Sequence, residues 1–264
     1  MTDDRFTSFA TRLRGRQRVL GYWVALDSPA STERIARLGY DYVTLDLQHG
    51  LIDSPGMRAG LTAIDAAGGS VGLVRVESNA PARIGKALDA GAAGVIVPLV
   101  DTAEEAEAAV AAASYPPRGQ RSFGPMRSGL RIGPAPAESD AAVVVIAMIE
   151  TPLGLANVEA ICATPGLAGV YIGPSDLCLA VGGRFPNDPS VDEQFQAALT
   201  RVREAAAAEG VAAGIHTRTG EQAAGHLATG FTFATVASDL IHLEQTATAH
   251  LTAARADTAD RTLG

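Results

Sequence analysis

The stretch Ala142–Glu150, AVVVIAMIE, is an unbroken apolar run that ends in a single carboxylate. The stretch Ala168–Ile172, AGVYI, repeats this pattern and leads through Gly173-Pro174-Ser175 to Asp176. Continuous apolar runs flanked by turn residues are typical of strands that are buried on both faces, as in a parallel sheet. In an α/β barrel, the carboxyl end of such a strand is the catalytic face. We therefore expect Glu150 and Asp176 to lie at that face.

Strand-like and helix-like segments alternate along the rest of the chain, and glycine follows several of the helices, as expected just past a helix end. The predicted strands are Val19–Leu26, Tyr42–Leu47, Val71–Val76, Gly94–Leu99, Val143–Ile149, Gly169–Ile172, Ala212–Ile215 and Phe231–Val236. The predicted helices are Ser31–Leu38, Pro55–Ala67, Ala80–Ala90, Ala103–Ala113, Leu153–Ala163, Val191–Glu209, Gly220–Thr229 and one near Ser238–Arg255.

This alternation predicts an α/β fold, a (β/α)8 TIM barrel, because eight strand–helix pairs in about 250 residues match that fold. We expect one domain over residues 1–264, with its core at about residues 19–255. A doubly wound open sheet is the alternative, but no GxGxxG motif follows the first strand.

The composition of the chain argues against nucleic acid and membranes as binding partners. The net charge of −8, without a basic patch, argues against nucleic acid. No apolar run reaches membrane-spanning length, and the first residues lack the apolar segment of a secretory signal. Cys162 and Cys178 have no metal-ligand spacing, so we expect buried thiols in a cytoplasmic protein with no membrane partner.

The chain contains a single lysine, Lys86, within the predicted helix Ala80–Ala90. A Schiff-base mechanism needs a lysine in a desolvated site, and the outer helix layer of a barrel is poorly placed for that role. Any carbonyl chemistry is therefore expected to be metal-assisted.

Glu150 and Asp176 offer two hard oxygen ligands on successive strands, a set that suits Mg²⁺ or Mn²⁺. The alternative is that both are acids at helix N-termini, stabilised by the helix dipole. We favour the metal, because two strands show the same pattern at the same end.

The second and third strands end in groups that suit proton transfer and anion binding. Asp46 and His49 follow the second strand, where a histidine can act as a base and a carboxylate can orient it. Arg75 ends the third strand and can stabilise a developing oxyanion, or form a structural ion pair. In the turn Gly173-Pro174-Ser175, the backbone N–H groups of Gly173 and Ser175 can bind a carboxylate. Together these groups predict a site for an α-keto acid.

The irregular segment Tyr115–Asp140 is rich in Pro and Gly and carries four arginines. We expect it near the barrel mouth, as part of an anion-binding wall or of an oligomer contact, with a solvated surface loop as the alternative. His216 and Arg218, after the seventh strand, are candidates for contact with the distal end of a substrate, or part of a helix-cap region.

Six segments carry a resemblance to the HpcH/HpaI aldolase family, the class II 2-keto-3-deoxy acid aldolases of the phosphoenolpyruvate/pyruvate barrel superfamily. They are Asp41–Gly50 (DYVTLDLQHG), Leu73–Val76 (LVRV), Leu88–Thr102 (LDAGAAGVIVPLVDT), Ser114–Gly119 (SYPPRG), Met148–Thr151 (MIET) and Gly169–Leu177 (GVYIGPSDL). Their combination in this order is specific, although each segment alone is weak.

The resemblance implies a role for each matching residue. Glu150 and Asp176 match ligands of a divalent metal ion, and His49 matches the catalytic base with Asp46 as its orienting partner. Arg75 matches the residue that binds the pyruvyl group and stabilises its enolate. Asp89 matches a residue that the family brings to the active site of a neighbouring subunit. Gly173, Pro174 and Ser175 match the segment whose backbone binds the pyruvate carboxylate.

The implied activity is reversible cleavage of a 4-hydroxy-2-oxo acid to pyruvate and an aldehyde, dependent on Mg²⁺, Mn²⁺ or Co²⁺. The resemblance also implies a homo-oligomer, a hexamer built from trimers, with the final helix exchanged between subunits. The first alternative is an acyl-CoA lyase of the citryl-CoA or malyl-CoA type on the same barrel, with the arginines of Tyr115–Asp140 binding CoA. The second alternative is a catalytically silent barrel that binds an acidic metabolite.

Overall fold

The computed structural model describes residues 4–259 and contains a closed barrel of eight parallel strands in sequential order. The predicted (β/α)8 barrel is confirmed. The strands are β1 (Val19–Val24), β2 (Tyr42–Asp46), β3 (Val71–Arg75), β4 (Gly94–Val97), β5 (Val144–Met148), β6 (Gly169–Ile172), β7 (Ala212–Thr217) and β8 (Phe233–Ser238). All eight predicted strands overlap these segments, because burial on both faces leaves a clear apolar run in the sequence.

Helices surround the barrel. They are α1 (Asp4–Arg14), α2 (Pro29–Ala36), α3 (Ser54–Ala67), α4 (Pro81–Asp89), α5 (Ala103–Ala113), α6 (Pro136–Ala142), α7 (Pro152–Ala156), α8 (Val158–Cys162), α9 (Pro174–Ala180), α10 (Asp192–Ala208), α11 (Gly220–Ala228) and α12 (Asp239–Ala259). Two short 3₁₀ helices lie at Ser128–Leu130 and Pro189–Val191.

Sequence reasoning missed three of these helices and merged two others. Helix α1 went unrecognised although its buried residues, Phe6, Phe9, Ala10 and Leu13, follow the i, i+3, i+4, i+7 spacing of an amphipathic helix. Its Phe9 ring lies 5.8 Å from the Tyr42 ring at the start of β2, so α1 closes the amino end of the barrel. Helices α6 and α9 have only seven residues each. The predicted helix Leu153–Ala163 is broken at Asn157 into α7 and α8.

Aromatic rings fill the interior of the barrel. Tyr42 and Tyr171 are fully buried, and their hydroxyl groups share Thr235 Oγ1 at 2.8 and 2.6 Å. Burial raises the pKa of both tyrosines, so they stay protonated. The Phe233 ring lies 5.7 Å from that of Tyr171 and covers Gly214, where a Cβ atom would come within 2.2 Å of it. The absence of a side chain at Gly214 thus leaves the space that the Phe233 ring occupies.

The segment Tyr115–Asp140 lies at the amino end of the barrel, and the expectation that it flanks the mouth is wrong. It follows α5, and a helix in a β/α unit returns the chain to the end where the next strand begins. Arg121 pairs with Asp89 at the end of α4, and Arg127 pairs with Asp65 near the end of α3. Both helix ends point away from the catalytic face.

All four arginines of this segment form ion pairs, which argues against an anion-binding wall. Arg118 pairs with Asp140 at 2.6 Å and Arg121 with Asp89 at 2.8 Å. Arg127 and Arg131 both contact Asp65, whose side chain is only 4% exposed. These pairs attach the segment to the barrel, and an oligomer contact is the expectation that they leave open.

Other placements agree with the sequence. Lys86 lies on α4 in the outer layer, and Cys162 and Cys178 are free and buried. Among residues 4–259, no helix is long and apolar enough to cross a membrane.

We expect Gly214→Ala to lower the free energy of unfolding by at least about 2 kcal/mol, because the added methyl group would collide with the Phe233 ring. Gly225→Ala is the matched control, since Gly225 lies within α11 with no atom within 4 Å of an added Cβ. The control should raise stability by about 1 kcal/mol. Urea unfolding measures both, and a Gly214→Ala protein as stable as the wild type would contradict this account of the core.

Candidate active site

Asp46 and Arg75 form a buried ion pair at the carboxyl ends of β2 and β3, where the strand register places them side by side. Arg75 Nε donates to Asp46 Oδ1 at 2.9 Å, and Nη2 donates to Oδ2 at 2.5 Å. Burial raises the pKa of Asp46, but the hydrogen bonds and charge of Arg75 outweigh it and leave that pKa below its ordinary value. The third guanidinium nitrogen, Nη1, hydrogen-bonds to no residue within 4–259 and remains available.

Trp23, which sequence reasoning missed, contacts both members of the Asp46–Arg75 pair. Its indole N–H donates to Asp46 Oδ2 at 3.1 Å, and its ring lies 5.0 Å from the Arg75 guanidinium carbon. The Trp23 ring also stacks on the ring of Tyr171, with the two centroids 5.9 Å apart. The available signal was that Trp23 is the only tryptophan of the chain and lies in the second half of the first predicted strand, Val19–Leu26, towards the catalytic face.

His49 lies in the turn after β2, exposed at the cleft that the barrel mouth forms. Asp46 Oδ1 accepts the backbone N–H groups of Gln48 and His49 at 3.0 and 3.2 Å. The imidazole itself hydrogen-bonds to no residue in the described part of the chain. Asp46 therefore fixes the backbone that carries His49, whereas the sequence predicted that it orients the ring.

Glu150 is buried beyond the end of β5 with one carboxylate oxygen satisfied and one not. Oε1 accepts the backbone N–H of Leu99 at 2.9 Å. Leu99 adopts a left-handed conformation, with φ of 54°, which is uncommon for a residue with a side chain. Oε2 is buried and has no hydrogen-bond partner among the described residues. Burial raises the pKa of Glu150, and the nearby carboxylate of Asp176 raises it further.

Glu150 Oε2 and Asp176 Oδ2 converge on Gly173. A Cβ atom at Gly173 would lie 2.7 Å from Oε2 and 3.8 Å from Oδ2, so glycine keeps the space between them open. Two carboxylates facing one gap, with an unsatisfied buried oxygen, fit a hard divalent cation. No group of three or more His, Cys, Asp or Glu side chains within 4–259 has metal-binding geometry. The protein would then contribute two ligands and leave the other positions to substrate and water.

The cleft at the barrel mouth has a volume of about 210 Å³. Its lining includes the predicted His49, Arg75, Gly173, Pro174, Ser175 and Asp176, together with Trp23, Met148, Tyr171, His216 and Ser238. Ser175 and Asp176 begin α9, where the first backbone N–H groups of a helix have no acceptor within the helix. Asp89 is not brought to this cleft, because it ends α4 at the opposite end of the barrel.

His216 lines the cleft at β7, with its ring edge against Trp23 at a centroid distance of 5.3 Å. Burial lowers the pKa of His216 to about 4, helped by the positive charge of Arg75. The helix-cap interpretation also holds, since Thr219 accepts the N–H of Gln222 as the N-cap of α11. His216 is therefore a neutral polar group in the site at pH 7.

The pKa of His216 makes stability depend on pH. Because the folded state binds a proton less readily than the unfolded state, this contribution is complete above about pH 6.5 and falls as the pH drops towards 4, by at most about 3 kcal/mol. We expect His216→Gln to flatten the unfolding free energy over this window. Urea titrations between pH 4 and 7 measure the slope, and parallel profiles for both proteins would refute the assignment.

Comparison with known proteins assigns the chain to a family. Residues 19–246 match the sequence profile of HpcH/HpaI aldolase/citrate lyase. The chain is 42% identical to a hydroxypyruvate/pyruvate aldolase of Rhizorhabdus wittichii, over 92% of this chain and 96% of the relative. It is 36% identical to a 5-keto-4-deoxy-D-glucarate aldolase of Klebsiella pneumoniae, over 88% and 90%. The crystal structure of an HpcH/HpaI aldolase/citrate lyase family protein from Burkholderia cenocepacia superimposes with a TM-score of 0.86 at 31% identity, covering 94% of this chain and 99% of that one. The chain therefore belongs to the HpcH/HpaI aldolase/citrate lyase family.

Proposed function

We propose that the cleft is the active site of a divalent-metal-dependent aldolase that reversibly cleaves a 4-hydroxy-2-oxo acid to pyruvate and an aldehyde. The chain is a carbon–carbon lyase by its family and by its relatives, which are named aldolases. The observation that carries the proposal is the unsatisfied Glu150 Oε2, which faces Asp176 across Gly173 in the family's barrel.

Glu150 and Asp176 would hold the cation. A divalent ion bound there, such as Mg²⁺, Mn²⁺ or Co²⁺, supplies Lewis-acid polarisation of the substrate's 2-oxo group. Its positive charge would also offset the repulsion between two neighbouring carboxylates, one of which is buried.

Arg75 and the start of α9 would orient the substrate. Nη1 of Arg75 is the free donor that can stabilise negative charge on the 2-oxo oxygen as the carbon–carbon bond breaks. The unpaired N–H groups of Ser175 and Asp176 would bind the carboxylate of the substrate. Because Asp46 and Trp23 hold the guanidinium in place, this donor needs no rearrangement during the reaction.

His49 would move the proton. It is the exposed titratable ring at the mouth, and the Asp46 carboxylate fixes its backbone. In the cleavage direction it accepts the proton of the 4-hydroxyl group, directly or through a water molecule. In the reverse direction it takes a proton from the methyl group of pyruvate.

The acyl-CoA lyase alternative gains no support from the geometry. It required the arginines of Tyr115–Asp140 to bind CoA at the cleft. These arginines are paired with Asp140, Asp89 and Asp65, and they lie at the other end of their own barrel.

The assembly that we propose is a homo-oligomer, a trimer or hexamer, in which α12 is exchanged between subunits. α12 is attached at its first turn, where Asp239 accepts the N–H groups of Ala25 and Leu26 and His242 contacts Tyr22. Every residue from 242 to 256 is exposed in this chain. Helices of soluble proteins owe most of their stability to packing of an apolar face, so α12 needs a partner. Asp89, far from its own cleft, would reach a neighbouring one.

We expect Glu150→Gln and Asp176→Asn each to reduce metal-dependent exchange of the pyruvate methyl protons by more than about 100-fold, because each removes an anionic ligand. Proton NMR of pyruvate in D₂O, with and without Mg²⁺, Mn²⁺ or Co²⁺, measures exchange without knowledge of the aldehyde. Electron paramagnetic resonance of Mn²⁺ measures metal binding, which should weaken in both variants.

His49→Ala is the matched control for that experiment, since it leaves both carboxylates in place. It should bind Mn²⁺ like the wild type but exchange protons at least about 100-fold more slowly. Full exchange activity in the Glu150→Gln and Asp176→Asn proteins would reject the metal site. Undiminished exchange in His49→Ala would reject the base.

Leu243→Glu should shift the oligomer towards smaller species. Leu240, Leu243 and Leu251 are 41%, 59% and 51% exposed and, with Ala247, form one stripe along α12. Gln245→Glu adds the same charge about 200° around the helix and should leave assembly intact. Sedimentation velocity compares the two, and an unchanged Leu243→Glu oligomer would show that this stripe is not buried by a partner.

A further inference from the structure

The proposed reaction gives no role to His216, although this residue lines the cleft beside Arg75 and Trp23. Its ring is held edge-on to Trp23, at an interplanar angle of 79°. Neither ring nitrogen hydrogen-bonds to a residue that the structure describes. His216 is only partly buried, so water can reach these nitrogens in the cleft. A ligand that fills the cleft displaces this water and loses a hydrogen bond unless it offers His216 a partner.

The chemistry of His216 is that of a neutral imidazole. Its burial and the charge of Arg75 keep it unprotonated near pH 7. A neutral imidazole carries one N–H donor and one acceptor nitrogen. It is therefore suited to pair with a hydroxyl group rather than with an anion.

Ser238 adds a second polar group to the same wall. It ends β8, the neighbour of β7 in the barrel, and is 7% exposed. Its oxygen accepts the N–H of Ile241 at 3.3 Å, which leaves the hydroxyl proton free to donate. The wall formed by His216, Ser238 and Trp23, on β7, β8 and β1, thus presents two groups with unused hydrogen-bonding capacity.

The position of this wall identifies the part of the substrate that it would contact. In the proposed function, the carboxylate of the 2-oxo acid binds at the start of α9, after β6, and the oxo oxygen binds on the side of Arg75, on β3. The third carbon is then the part left to face β7, β8 and β1. As the methyl group of pyruvate, this carbon offers no hydrogen-bond partner to His216 or Ser238, whereas as the hydroxymethyl group of 3-hydroxypyruvate it offers one to at least one of them.

We propose that His216, supported by Ser238, determines specificity for the donor acid and favours a 2-oxo acid with a hydroxyl group on its third carbon over pyruvate. This inference rests on the proposed function, since it uses the orientation of the substrate given there. It assigns the polar wall of the cleft to recognition of that hydroxyl group.

The single tryptophan provides the test, because Trp23 lies against His216 in the cleft and its fluorescence reports binding without turnover. Pyruvate and 3-hydroxypyruvate are titrated in the presence of Mn²⁺ into the wild type, His216→Leu and His216→Gln. We expect the wild type to bind 3-hydroxypyruvate more tightly. His216→Leu should lower the ratio of the two affinities by about threefold to tenfold, the effect of one lost hydrogen bond. His216→Gln, which keeps a donor and an acceptor, should retain part of the preference.

His226→Leu is the matched control. His226 also packs edge-on against an aromatic ring, that of Phe231 at 5.5 Å, but it lies on α11 outside the cleft lining. The affinity ratio should not change in this variant. A ratio that His216→Leu leaves unchanged, or a wild type that prefers pyruvate, overturns the inference while pyruvate proton exchange still supports the proposed function. Failure of the wild type to bind either acid, together with absent exchange, overturns both.

Discussion

The buried ion pair between Asp46 and Arg75 is the contact on which the geometry of the cleft depends. Removing two charges from water costs several kcal/mol per ion, and the attraction between them compensates only when the remaining hydrogen-bonding capacity is also used. Asp46 meets that condition by accepting from Arg75, from Trp23 and from the backbone of Gln48 and His49. The same bonds fix the Trp23 indole, the Arg75 guanidinium and the turn that carries His49. The contacts that stabilise the buried pair therefore also set the arrangement of the site.

The opposite side of the cleft is electrostatically incomplete. Glu150 is buried with an unpaired oxygen and faces Asp176, and its pKa is raised by burial and by that neighbour. Among residues 4–259, neither carboxylate forms an ion pair with a cationic side chain, whereas Arg75 pairs directly with Asp46. The Asp46 carboxylate is fully paired, whereas the Glu150 carboxylate is not, so a ligand must supply positive charge at Glu150. This contrast supports a metal ion at Glu150 rather than at Asp46.

The two ends of the barrel are built for different purposes. The carboxyl end holds the cleft, whereas the amino end carries α1 and the segment Tyr115–Asp140, attached through ion pairs to Asp65 and Asp89. In the proposed oligomer, the amino end of one subunit would bring Asp89 towards the cleft of another. The exposed helix α12 points to the same conclusion, since its stripe of leucines has no partner within the described chain.

The sequence by itself determined the barrel and most of the proposed machinery. Apolar runs mark strands that are buried on both faces, and polar residues at their carboxyl ends pointed to His49, Arg75, Glu150 and Asp176. These signals are local. The tertiary structure alone decided that Trp23 and His216 share one wall, that Asp46 holds the backbone rather than the ring of His49, and that Tyr115–Asp140 lies at the amino end. Each of these features depends on which strands become neighbours when the barrel closes and on the end of the barrel to which each helix returns the chain. A buried polar group has or lacks a hydrogen-bond partner only once those neighbouring elements are in place.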